Sequence, residues 1–75
     1  MAEIQALVFL KKHNWTERKA NEWIRHHHFK PIKKVHETTN QLRYRLKSPS
    51  GFKKFITKKT DHGIYFVIGF HSRKI

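Results

Sequence analysis

Arg43, Arg45 and Lys47 stand at alternate positions of one short stretch, 41–47, where Leu42, Tyr44 and Leu46 alternate with them. Side chains alternate sides along an extended strand, so this spacing puts three cations on one face and three apolar groups on the other. A row of cations is suited to phosphate: it draws in a polyanion, and the fork of an arginine pairs two phosphate oxygens at once. Lys53 and Lys54 follow closely, and Lys33, Lys34, Lys58 and Lys59 add supporting charge. Tyr65, in a later apolar stretch, offers a ring on which a base can stack. Arg43, Arg45, Lys47, Lys53, Lys54 and Tyr65 are therefore the candidate nucleic-acid-binding residues. The competing reading is an ordinary solvated sheet face.

The whole chain favours the first reading. Its 17 Lys and Arg face five acids, a formal net charge of +12. An excess of that size costs stability through self-repulsion and attracts DNA, RNA, anionic lipid or an acidic protein. Seven histidines add positive charge on mild acidification, since free imidazole titrates near about 6.5. Only 37% of the residues are hydrophobic, but six Phe, two Trp and two Tyr give each buried position a large area. That composition belongs to a folded domain and not to a disordered basic tail. With 75 residues, one small domain spanning 1–75 is expected.

Other chemistries find less support. His26, His27 and His28 are consecutive, so on a helix they point about 100° apart, and none has a His partner four residues away. There is no Cys for a disulfide or a thiolate site. Neither a metal nor another cofactor is expected. The carboxylates are Glu3, Glu17, Glu22, Glu37 and Asp61. Asp61-His62 has the residue types for acid–base work, but Asp-His-Gly is also ordinary hairpin-turn chemistry. Gly63-Ile64-Tyr65 and Val67-Ile68-Gly69 resemble the two halves of a GIY-YIG nuclease motif. Here they are almost fused in one strand, where that family separates them by a loop and a second strand, and no matching Arg and Glu follow. A non-enzymatic protein is expected.

These candidates need elements to hold them. The apolar run 4–10 predicts a first strand, with Ile4, Ala6, Val8 and Leu10 on one face and Leu7 and Phe9 on the other. Asn14 or Thr16 can cap a following helix with Glu17 near its start. Ala20, Trp23, Ile24 and His27 then recur at helical spacing, and Lys30-Pro31 ends the helix, giving about 16–28. Trp23 belongs to the apolar helix face, and Trp15 sits where it can staple the chain's entry. A weaker strand is expected over 31–37, paired through the turn Thr38-Thr39-Asn40 with the basic strand 41–47. Ser48-Pro49-Ser50-Gly51 turns the chain again. The stretch 52–56 reads two ways: Phe52, Phe55 and Ile56 fit a helical turn, while 55–58 also suits a strand. Residues 64–71 predict the best strand, with Tyr65, Val67, Gly69 and His71 sharing one face.

The fold class expected is α+β: a small antiparallel or mixed sheet of three to five strands with one main helix packed on one face, in β-α-β-β-β order. Ala20, Trp23 and Ile24 should meet Leu42, Tyr44, Leu46, Phe66 and Ile68. The pattern of Trp15, Lys19-Ala20, Trp23-Ile24, Leu42-Arg43-Tyr44-Arg45, Pro49, Phe52, Gly63-Ile64 and Val67-Ile68-Gly69 resembles that of small domains in proteins of tailed phages and other DNA viruses. The resemblance implies a viral origin and supplies no site residues. No apolar run is long enough to span a bilayer, and Met1-Ala2-Glu3 does not open a secretory signal. The expectation is an intracellular or virion location and a nucleic-acid partner, DNA or RNA. An acidic protein or a second copy is the alternative partner.

Overall fold

A computed structural model describes residues 2–71. The chain runs through β1 (Ala2–Leu10), a 3-10 turn (Lys11–His13), α1 (Glu17–His26), β2 (His36–Glu37), β3 (Gln41–Arg45), β4 (Phe52–Lys59) and β5 (Ile64–His71). Met1 and the tail 72–75 lie outside the described residues. All pairings are antiparallel, and the sheet order is β2-β3-β1-β5-β4. The α+β class and the helix packed on one face are as the sequence predicts, with five strands at the upper end of the expected number.

β1 takes the middle because it is apolar on both faces. Ala6, Leu7 and Phe9 are fully buried and Val8 nearly so. A bulge at Gln5, where the pairing with β5 slips between Ile4 and Ala6, changes the alternation. Ile4 therefore joins Leu7 and Phe9 in the cluster under the helix, and not Ala6 and Val8 as plain alternation would have it. Gln5, the one buried polar residue among those described, supports the end of β3: its carbonyl accepts from the backbone of Leu46 and Lys47, and its amide donates to the Lys47 carbonyl at 2.7 Å.

The helix starts at its second candidate cap. The Thr16 hydroxyl accepts from the Lys19 backbone N–H at 3.2 Å, and Glu17 sits in the first turn beside the positive end of the dipole. Asn14 instead closes the 3-10 turn in a left-handed conformation, φ 68°. The helix ends at His26, before the expected 28. His28 turns left-handed, φ 61°, its N–H donates to the Arg25 carbonyl, and the Phe29 N–H donates to the Ile24 carbonyl. This is a Schellman stop, with Phe29 as the apolar residue that closes it against the core. It halts the helix before Pro31 can.

Under α1, Phe9 meets the edges of three rings: Trp15 at 4.8 Å, Trp23 at 5.7 Å and Tyr44 at 5.6 Å between centroids. Leu7, Ala20, Ile24, Leu42, Leu46 and Ile64 complete the cluster, with Phe66 against it. Ile68, expected there too, stays half-buried and outside that cluster. Both tryptophans are core residues. Trp15 also pins the β4–β5 turn, its indole N–H donating to the His62 carbonyl at 2.7 Å.

The expected strand over 31–37 shrinks to His36–Glu37. Pro31 has no N–H to give a ladder, and Ile32 makes a single bond to the Arg45 carbonyl, so this segment runs beside β3 as a loop. The ambiguous stretch 52–56 is strand throughout. A bulge between Phe52 and Lys54 puts Phe52 and Phe55 on one face, which is why their spacing of three imitates a helical turn.

Candidate nucleic-acid interface

The strand registers settle which side chains share the sheet face away from α1. One row crosses all five strands: His36, Arg43, Val8, Tyr65 and Lys59 are successive cross-strand partners. The next row is Arg45, Ala6, Val67 and Thr57, and beyond it come Glu3, Gly69 and Phe55, then His71 and Phe52. Ala6, Val8 and Val67 form a small apolar strip with Leu10 and Tyr65 packed on it, and every member belongs to a strand of the sheet. Among the described residues no helix covers this face.

Arg43 and Arg45 flank the strip on one side. Each is half-buried although no helix is layered above it; an arginine so placed can lay its aliphatic stem along the sheet and keep its guanidinium group in solvent. Adjacent strands are about 4.8 Å apart, which sets Arg43 and Tyr65, two strands away, roughly 10 Å apart. On the far side the Lys59 ammonium sits over the Tyr65 ring, 5.5 Å from its centroid. At such an exposed position this contact is worth about 0.5–1 kcal/mol.

The six residues singled out in the sequence do not all converge. Arg43, Arg45 and Tyr65 share the open face. Lys47 lies just past β3, its ammonium 3.2 Å from the Glu3 carboxylate, which also bonds His71. His71 and then Lys47 hold the Glu3 carboxyl below the usual carboxylate range. Lys47 is thus already partnered. Lys54 pairs with Phe70 and falls with Ile56 and Lys58 on the helix side of the sheet. Lys53 occupies the exposed bulge.

Sequence reading missed a second aromatic group on the open face. Phe52 packs its ring 5.6 Å from Phe55 and 4.6 Å from His71, and Phe55 keeps 42% of its surface exposed. The signal was the pair of phenylalanines itself, hidden by the bulge. Also missed was a cleft of about 590 Å³ at the upper end of the face, lined by Leu10, Lys11, Lys12, Thr39, Asn40 and Tyr65. The Lys11 N–H donates to the Asn40 carbonyl at 2.9 Å, tying β1 to the β2–β3 turn at this cleft. The Lys11 ammonium is engaged by Glu37 at 2.6 Å, whereas Lys12 is exposed and has no carboxylate partner among the described residues.

Two of the three adjacent histidines have local roles at the helix end. His27 stacks on Trp23 at 3.9 Å and bonds its carbonyl, and His28 forms the left-handed stop. Comparison of the chain with protein-family models, curated proteins and solved structures gave no match.

Proposed function

We propose that this chain is a non-enzymatic nucleic-acid-binding module that holds phosphates on the open face of its sheet. The observation that carries the proposal is the placement of Arg43 and Arg45 side by side on that face, uncovered by the helix, in a chain of net charge +12. Low-dielectric sheet beneath the guanidinium groups and few acids around them favour a bound polyanion. Lys53, Lys54 and Lys58 contribute to the long-range field and not to the same contact surface. The test is a salt titration of binding to single-stranded DNA, duplex DNA and RNA. Affinity should fall steeply, with a log–log slope of about −0.9 per phosphate neutralised on duplex and about −0.7 on single strands. Replacing Arg43 and Arg45 together with Ala should weaken binding and leave the melting transition in place. Absence of binding to all three at low salt would refute the proposal.

A second reading has its own observation. β4 is an edge strand of eight residues, with Phe55 and Ile56 42% and 44% exposed. Such an edge can pair with a strand from a protein partner or a second copy, although its four lysines oppose self-pairing. Sedimentation at several salt concentrations separates the readings: stable self-association without nucleic-acid affinity supports the second.

A further inference from the structure

We infer that the nucleic acid held on this face is single-stranded, with one base stacked on Tyr65 and its nucleotide seated in the cleft between Lys12 and Asn40. The inference rests on the nucleic-acid reading above and adds the strandedness and the seat.

The shape of the face argues against duplex. The major groove of B-DNA is about 12 Å wide and admits a helix or a two-stranded ribbon. The open face is a five-stranded sheet, roughly 19 Å across the strand axes at ordinary spacing. It is too broad to enter a groove, and the only helix among the described residues lies on the other side. An undeformed duplex would therefore meet it chiefly through phosphates, and reading bases with the sheet would require bending the DNA and opening its minor groove at a cost in deformation energy.

A single strand uses everything the face offers. Its unpaired bases need ring surfaces, which Tyr65 provides next to the cleft and the exposed Phe55 provides at the opposite end. Its phosphates need cations beside those rings. Arg43 is in the same row as Tyr65, and Lys12 lines the same cleft. Lys59 lies over the Tyr65 ring in the unbound chain. A stacked base is a better partner for that ring than an exposed ammonium is. The base displaces Lys59, and its long stem then carries the charge to a neighbouring phosphate. Asn40 and Thr39 supply amide and hydroxyl groups at the rim of the seat, where the edge of the base would lie.

Binding of labelled oligothymidine and of a duplex of equal length is measured by anisotropy at one salt concentration, for the unaltered chain, Tyr65→Ala and Tyr65→Phe. The single strand should bind more tightly than the duplex. Tyr65→Ala should weaken the single strand about tenfold and the duplex hardly at all, while Tyr65→Phe stays near the unaltered chain. Irradiation of the unaltered chain with oligothymidine, followed by mass spectrometry, should place the cross-link at Tyr65, and this arm does not depend on a variant folding. Equal affinities for the two forms, or cross-links only at sites remote from the cleft, overturn the inference while leaving phosphate binding intact. No binding of either form, or of RNA of the same length, at low salt overturns the underlying reading as well.

Discussion

The Phe52 ring lies directly over Gly69. A Cβ built at position 69 would stand 2.6 Å from Phe52 Cδ1 and 2.7 Å from its Cγ. The glycine in the middle of the best strand is thus a space requirement of the aromatic group on the open face. Gly69→Ala should destabilise the domain by about 1–3 kcal/mol through overpacking. In a Phe52→Ala background the same change should cost nothing, and thermal melts of the four proteins in this double-mutant cycle measure the coupling.

His28 carries a conformational cost at the helix stop. A left-handed φ is unfavourable for an L side chain by roughly 1–2 kcal/mol, and glycine escapes it. Since the two Schellman bonds come from backbone N–H groups, His28→Gly keeps them. The substitution should raise stability by up to about 1 kcal/mol, or several degrees in Tm for a domain of this size. An unchanged or lowered Tm would mean that the His28 side chain contributes more than its backbone costs.

Tyr44 links stability to alkaline pH. Burial, with Glu17 and Glu37 adding repulsion, pushes its phenol up to about 12, and only 3% of the residue is exposed. The unfolded chain would lose this proton near about 10. Between those values the folded state holds a proton that the unfolded state has released, so stability falls as pH rises through that window and is fully present below it. Tyr44→Phe should remove this fall. Its hydroxyl bond to the Glu17 carbonyl is long, 3.4 Å, so the two proteins should differ by less than about 1 kcal/mol at neutral pH. Denaturant melts at stepped pH values give the comparison.

The architecture was legible where local rules and packing agree. The apolar run of β1, the Thr16 start, the Trp23–Ile24 face and the alternation around Tyr44 each led to the observed element. The Schellman stop at His28 hid the helix end and Pro31 cut short the strand before β3; two single-residue slips hid more. The bulge at Gln5 moved Ile4 to the helix side, and the bulge before Lys54 brought Phe52 and Phe55 together. A bulge inserts one residue into one strand only, so it is a property of the pairing and leaves no periodic trace in the sequence. The candidate site suffered for the same reason. Arg43, Arg45 and Tyr65 could be assigned a face by alternation, whereas Lys54 needed its register. Lys47 needed its partner: Glu3 lies far off in sequence and reaches it only because β1 runs beside the end of β3.

Glu3 is the acid that subdues the basic face. Its carboxylate engages Lys47 and His71 together, and His71 followed by Lys47 holds it below the usual carboxylate range. Its contribution to stability is present above the ordinary carboxylate pKa and is lost as pH falls through the lowered folded value, so Glu3→Gln should matter for melting at neutral pH and cease to matter in strong acid. The effect on binding has the opposite sign. Removing the carboxylate takes one negative charge off the face and frees the Lys47 ammonium for a phosphate. If the chain binds duplex DNA through this face, Glu3→Gln should tighten binding at low salt and steepen the log–log salt slope by about 0.9, the value for one further phosphate contact. Glu3→Gln with Lys47→Ala should return the slope to that of the unaltered chain, because the released cation is then gone. A Glu3→Gln protein with unaltered affinity and slope would place Lys47 outside the contact surface and confine phosphate binding to the Arg43 and Arg45 side of the sheet.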